Sequence, residues 1–319
     1  MKTLEPTIEG YMQQFLIPAD KIWQPSDFLP DSTKDTFFDE VTELREEAKE
    51  LGQDFWAVLV GDTITEEALP TYESWLMCVE GVDLNAKNGW SKWVSTWTAE
   101  ENRHGDVLNK YLYLSGRVNM REMEISTQHL IADGFDIGTD RDPYRNFIYT
   151  SFQELATNIS HQRVAKIAAQ KNIKSLSKMC KIIAGDEMRH YLAYREFVRV
   201  IFTYDPNEMM LAVADMFQKK IVMPARYLRE SGMPQCEAFV LFSDAAQRLG
   251  VYTFRDYIDI MNKLITFWKI GEIDGLKDDG KKARDYIISL PARLLRIGER
   301  IKIPEAGYQF KWVHGDGVV

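Results

Sequence analysis

Two segments of this chain carry the same four-residue phrase, and that repeat limits the folds open to it. Glu101-Asn102-Arg103-His104 and Glu187-Met188-Arg189-His190 both read Glu-x-Arg-His, and an acid precedes each, Glu100 and Asp186. Residues three apart share one helix face, so each phrase aims a carboxylate and an imidazole at one point. Both lie in stretches whose apolar residues recur at three- and four-residue steps. Across residues 90–116, Trp93, Trp97, Val107, Leu108, Tyr111, Leu112 and Leu114 follow that period, and Gly116 reads as the stop.

The same period covers residues 34–51, 55–81, 144–171, 174–204, 207–231, 237–249, 254–270 and 280–301. Stops are expected at Gly52, Gly81, Gly134, Asp205-Pro206 and Gly232. Pro70 lies inside one helical stretch and should kink it, because it removes a backbone donor. Alternating strand-like runs are nearly absent; one short hairpin is expected at residues 307–318. No shift in composition marks a linker, so residues 1–319 read as a single domain.

With 45% hydrophobic residues among 319, the chain can bury a large core. A net charge of −9 argues against nucleic acid as a partner. No run of about 18 apolar residues occurs, so no membrane span is expected. The N-terminal MKTLEPTIEGYMQQF lacks the basic and apolar regions of a secretory leader. A cytoplasmic location is expected, or the plastid stroma where a transit peptide has been removed. The three cysteines are scattered, form no CxxC pair and read as reduced thiols. No phosphate-binding glycine loop is present.

Two Glu-x-Arg-His helices supply two oxygen and two nitrogen ligands, too few for a pair of metal ions. In ferritin-like dimetal bundles each of two further helices adds an inward glutamate. Glu66 precedes Glu101 by 35 residues, and Glu154 precedes Glu187 by 33. That near-equal spacing is the contour of two helical hairpins, and residues 119–143 are long enough for the crossover between them. The expected fold is therefore all-α, a ferritin-like four-helix bundle extended by additional helices. Its metal ligands would be Glu66, Glu101, His104, Glu154, Glu187 and His190. Carboxylates and imidazoles without thiolate suit iron or manganese. Arg103 and Arg189 are expected to pair with neighbouring acids such as Asp186 and so orient the ligands. His161 follows Glu154 by seven residues on the same face, within reach of the site. The stripe Trp90, Trp93, Trp97 reads as core, and Cys78 and Cys180 as small apolar fillers.

Beyond the ligand phrases, longer stretches carry a likeness. EENRHG (100–105), within WTAEENRHGDVLNKYLYLSGRVNMR, strongly resembles the soluble acyl-acyl-carrier-protein desaturases. So do GDTITEEALPTY (61–72), FIYTSFQELATNISH (147–161) and ADMFQKKIVMPA (214–225). The resemblance covers nearly the whole chain. It implies a homodimer with two iron ions per subunit, which uses oxygen and electrons from ferredoxin. The implied reaction places a cis double bond in a saturated chain carried on acyl carrier protein. It puts the six residues above at the iron-ligand positions. Thr157 matches a threonine beside the metals with a role in proton delivery, and Trp23 with Asp186 a pair that helps electrons reach them. Trp75, Cys78, Val79, Trp97 and Phe147 fall at chain-lining positions. Met188 and Tyr191 depart from the family's second phrase, at positions that are not ligands. Another di-iron oxidase or hydroxylase, or a ferroxidase, is the alternative that the ligand set alone leaves open.

Overall fold

The computed structural model describes residues 1–83, 85, 89–305 and 307–314. Among them the chain forms twelve α-helices and no strand. In order these are α1 (Glu5–Phe15), α2 (Phe37–Ala48), α3 (Gln53–Glu67), α4 (Leu69–Met77), α5 (Gly89–Ser115) and α6 (Met120–Asp133). There follow α7 (Pro143–Gln170), α8 (Lys174–Tyr204), α9 (Pro206–Lys219), α10 (Glu237–Leu249), α11 (Phe254–Phe267) and α12 (Asp278–Gly298).

Four helices make the central bundle. α3 lies against α5, α7 runs along α8, and α5 packs on α8. The ends of the long helices follow local chemistry. Asp142 caps α7 by accepting from the backbone N–H groups of Tyr144 and Arg145, and Pro143 opens the helix with φ already set. Past the end of α5, Gly116 takes φ +67°, a conformation open to glycine at little cost.

The remaining helices sheath this bundle. α1 and α2 cover α5, α10 covers α3, α9 packs on α7 and α8, α11 on α7, and α12 lies outside them against α9 and α11. One connected apolar core results, with Trp56, Trp90, Trp93, Tyr111, Phe152 and Phe197 almost wholly out of water.

The structure departs from the sequence expectations at four places. Pro70 does more than kink a helix: the chain breaks at Ala68 (ψ 15°), and α4 starts as a separate helix. Proline has no N–H for the carbonyl four residues back, which belongs to Glu66. The expected helix over 207–231 stops at Lys219, because Lys220 turns to φ +65°; a short 3-10 turn, Pro224–Tyr227, follows. α1 and α6 form where no helix was expected, so the crossover is itself helical. α6 is capped by Asn119 and closed by Gly134 at φ +65°. The C-terminal hairpin is replaced, as far as His314, by a strap with a single bridge between Val118 and Val313. The rest of that expected hairpin lies outside the described residues. Trp312, fully buried, fixes the strap by donating to Ser126 Oγ on α6 at 2.8 Å.

The approach of α5 to α3 sets the position of Glu66. The two come close at Gly105, where an added Cβ would stand 3.2 Å from the Glu66 and Glu67 backbone. Backbone gives way less readily than a side-chain tip. Gly105→Ala is therefore expected to destabilise the fold by about 1–3 kcal/mol despite the better helix propensity of alanine. Thermal unfolding checks this, and an unchanged melting temperature would show that α3 has room to move.

Candidate metal centre

Each bundle helix delivers its ligand side chains to one buried point: Glu66 from α3, Glu101 and His104 from α5, Glu154 from α7, Glu187 and His190 from α8. They fall into two overlapping sets whose ligand atoms lie within 4.8 Å of one another. Glu66, Glu101, His104 and Glu187 form the first; Glu101, Glu154, Glu187 and His190 form the second. Glu101 and Glu187 belong to both, so the two sets share two carboxylates and could hold a pair of ions. His104 Nδ1 stands 3.1 Å from Glu101, 3.4 Å from Glu187 and 3.8 Å from Glu66. His190 Nδ1 stands 2.6 Å from Glu101 and 3.5 Å from Glu154.

Proximity does not make these contacts hydrogen bonds. His104 Nδ1, His190 Nδ1 and Glu101 Oε1 are buried without a hydrogen-bond partner. Their other ring nitrogens are satisfied: His104 Nε2 meets Asp186 at 3.3 Å and His190 Nε2 meets Glu100 at 2.9 Å. A carboxylate only accepts, so each Nε2 carries a proton and each Nδ1 is the ring nitrogen that faces the carboxylate cluster. Freed of its own proton, that Nδ1 would join the carboxylate oxygens as a metal donor.

Electrostatics point the same way. Burial opposes charging of His104 and His190, yet the Glu101 carboxylate and its neighbours outweigh it and drive both pKa values well above the ordinary range. Burial, with Glu101 and Glu187 beside it, pushes Glu154 well up. Glu66 goes the other way: against burial, His104 and His161 pull it down to about 2. So much negative charge gathers here that protons are drawn in, and dications would take their place.

Behind the ligands lies a crosswise frame. Asp186 on α8 holds His104 of α5, while Glu100 on α5 holds His190 of α8. Arg103 bonds Asp186 at 3.0 Å, and Arg189 bonds Glu100 and Asp186, each at 2.7 Å. The acid before each glutamate thus serves the histidine of the opposite phrase. The sequence shows that acid twice over but not that it crosses helices. His161 Nε2 meets Glu66 at 3.0 Å and orients it, a contact that sequence spacing had left open.

The other expected residues divide. Thr157 donates to Glu187 Oε2 at 2.7 Å. Partly exposed Trp23 donates to Asp186 at 2.9 Å and stacks on His104 at 6.1 Å between ring centres. Surface, Trp23, Asp186 and ligand are thereby contiguous. A cavity of about 160 Å³ opens on the ligands. Glu66, Glu101, Glu187 and Thr157, with Asp62, Gln153, Ser160 and His161, supply its polar lining; Val58, Leu69, Tyr72, Met223 and Phe242 belong to the apolar part.

Of the five expected chain-lining residues, Trp97 borders this cavity. Trp75 packs on Phe135 at 6.0 Å, Cys78 is exposed, Val79 is buried, and Phe147 stacks on Trp90 at 5.0 Å. None of these four lines it: Trp75, Cys78 and Val79 follow the course that the break at Ala68 gives α4, and Phe147 on α7 packs into the aromatic core with Trp90 and Phe197. The wall made by Met223, Pro224, Phe239 and Phe242 was missed. It comes from the 3-10 turn and α10, elements that carry no chemical motif.

Glu100→Gln removes the charge that holds His190 and Arg189 while keeping the shape. The outer partners of metal-bound histidines are worth about 10–100-fold in affinity. A loss of that size is expected in a metal titration; unchanged affinity would show that His190 needs no such support.

Comparison with known proteins now bears on this geometry. A family model described as fatty acid desaturase matches residues 1–314. A chloroplastic stearoyl-[acyl-carrier-protein] 9-desaturase of Gossypium hirsutum is 47% identical over 319 residues, covering 98% of this chain and 80% of its own. A chloroplastic palmitoyl-[acyl-carrier-protein] 4-desaturase 3 of Ophrys sphegodes is also 47% identical, over 320 residues, with the same coverage. The solved structure of DesA2 from Mycobacterium tuberculosis H37Rv shares the fold, with a TM-score of 0.54 at 18% identity. That match covers 88% of this chain and 97% of the other. The chain belongs to the fatty acid desaturase family.

Proposed function

We propose that this chain is a di-iron acyl-acyl-carrier-protein desaturase. In this reading it forms a cis double bond in a saturated acyl chain, with oxygen and electrons from ferredoxin. One observation carries the reading: two overlapping Glu/His ligand sets face an apolar cavity in a member of the desaturase family. Glu66, Glu101, His104, Glu154, Glu187 and His190 hold the two ions. Iron bound there supplies the oxygen activation needed to take two hydrogens from adjacent methylenes.

The rest falls to the protein. A methylene offers no acidic or basic handle, so selectivity rests on which carbons the cavity brings to the ligands. Val58, Leu69, Tyr72, Trp97 and Phe242 hold the chain and exclude water. The two relatives are equally similar yet are named for different bonds, 9 and 4. Overall identity therefore does not fix the bond position; in this reading the cavity wall sets it. Thr157, bonded to Glu187, is placed to pass a proton at the edge of the site. Trp23 and Asp186 give electrons a contact path to His104.

Both expected protein partners are acidic, and docking them requires local positive surface. Lys219, Lys220, Arg226 and Arg229 make one basic cluster, but Lys219 is taken up by Asp215 and Arg229 by Asp133, which weakens it. Arg293 and Arg296 on α12 and Arg300 just past its end stand exposed, and acyl carrier protein is assigned there. No helix among the described residues is long and apolar enough to cross a membrane. A homodimer working in cytoplasm or stroma completes the reading.

Iron-loaded, chemically reduced chain should meet oxygen and a panel of acyl-carrier-protein thioesters, with the fatty acids read by mass spectrometry. A mono-unsaturated product in proportion to bound iron is expected. Oxygen consumption without unsaturated product would move the assignment to another oxidase or a ferroxidase. Glu154→Ala is expected to abolish iron loading and product together, and full activity in it would sink the ligand assignment. Reversing charge at Arg293, Arg296 and Arg300 should raise KM for the acyl carrier thioester; an unchanged KM excludes docking there.

A further inference from the structure

The tryptophan stripe of α5 reads as core in the sequence, and Trp90, Trp93 and Trp97 are all buried. Their placement does more than fill space. Trp97 donates from Nε1 to the ligand Glu154 at 3.1 Å, and its ring meets His190 edge-on at 6.3 Å between centres. Trp93 lies one helical turn back on the same face. Tyr194 stands beside both, 6.4 Å from Trp97 and 5.6 Å from Trp93. Phe197 follows, 4.9 Å from Trp93 and 5.7 Å from Tyr11. Tyr11 is partly exposed, and its hydroxyl faces Glu196 at 3.5 Å. A continuous file of aromatic rings thus joins the ligand shell to the surface, on a path separate from Trp23.

Packing alone does not call for this chemistry. The indole N–H of Trp93 is buried and completes no hydrogen bond of good geometry. A phenylalanine would offer an aromatic ring there without burying an N–H.

We propose that this file is an electron-hopping relay, resting on the desaturase reading above, that discharges the oxidised metal pair when oxygen reacts with no acyl chain in the cavity. Electron transfer falls off exponentially with distance, so rings in contact exchange electrons quickly. Indoles and phenols are the oxidisable rings; Phe197 serves as the medium between Trp93 and Tyr11. Trp97 gives one electron to the pair, Trp93 refills Trp97, and Tyr11 refills Trp93. The indoles carry the charge as cations and keep their protons, and the Glu154 carboxylate steadies the first of them. Tyr11 releases its proton to Glu196 as it is oxidised, and a thiol in solution restores it. Two such passages, with two protons from solvent, finish the reduction of oxygen to water while two thiols become a disulfide. The metal ligands are thereby spared oxidation.

The test uses metal-loaded, chemically reduced wild type, Trp93→Phe and Tyr11→Phe, each exposed to oxygen without acyl substrate. Samples are frozen rapidly for electron paramagnetic resonance, and oxidised residues are mapped by peptide mass spectrometry. Wild type is expected to show a tyrosyl radical and oxidation at Tyr11. Trp93→Phe should lose that signal and accumulate oxidation at Trp97; Tyr11→Phe should lose the tyrosyl signal and accumulate it at Trp93. The same radical and the same oxidation map in all three chains would overturn the relay. Tyr11→Phe removes only a partly exposed hydroxyl, so the comparison stands even where Trp93→Phe folds poorly. Product formation on acyl carrier thioester is measured alongside. Unsaturated product from a wild type with no aromatic radical overturns the relay and keeps the desaturase; a Trp93-dependent radical without product does the reverse.

Discussion

Four carboxylates held together out of water are the constraint on which the rest of this structure depends. Glu101, Glu154 and Glu187 are buried at the bundle centre, with Glu66 close beside them. Like charges at such range in a low-dielectric interior repel strongly, and an uncompensated buried carboxylate costs several kcal/mol. The cluster persists only with positive charge inside it, supplied by protons or by metal. The raised pKa values of His104, His190 and Glu154 are the proton form of that compensation.

Fixing so strained a group takes more than one layer. Glu100 and Asp186 are themselves buried and are neutralised by Arg189 and Arg103, which in turn bond the carbonyls of Phe15 and Trp23. These contacts pull the segment before α2 over the bundle. Because each acid serves the histidine on the other helix, neither imidazole is oriented until α5 and α8 have docked. Formation of the site and of the bundle is one event. The sheathing helices then keep water from a cluster whose strength relies on its exclusion.

The convergence of these carboxylates and imidazoles was legible in the sequence because their spacing follows helical arithmetic. The i, i+3 spacing of Glu and His needs only a helix to acquire meaning, and Glu66 and Glu154 follow from the matching offsets of two hairpins. The unread features depend on tertiary contact. α1 and α6 are short and are held by neighbours distant in sequence, α1 by α5 and α6 by α3 and by Trp312. The stop at Lys219 comes from one residue in a left-handed conformation, with no glycine to announce it. The cavity wall is assembled from α3, α10 and a 3-10 turn distant in sequence. Trp75 on α4 and Cys78 just past its end follow a helix that the break before Pro70 sends elsewhere.

The central claim, that this charged cluster is a two-ion site, is tested most directly by anaerobic titration of the metal-free chain with ferrous ion. Bound metal and released protons would be counted together in weakly buffered solution. Two ions per chain, each accompanied by proton release, is the expected result, because the cations replace protons held by His104, His190 and Glu154. Binding of no ion, or uptake without any proton release, would contradict it and leave the cluster a purely structural network.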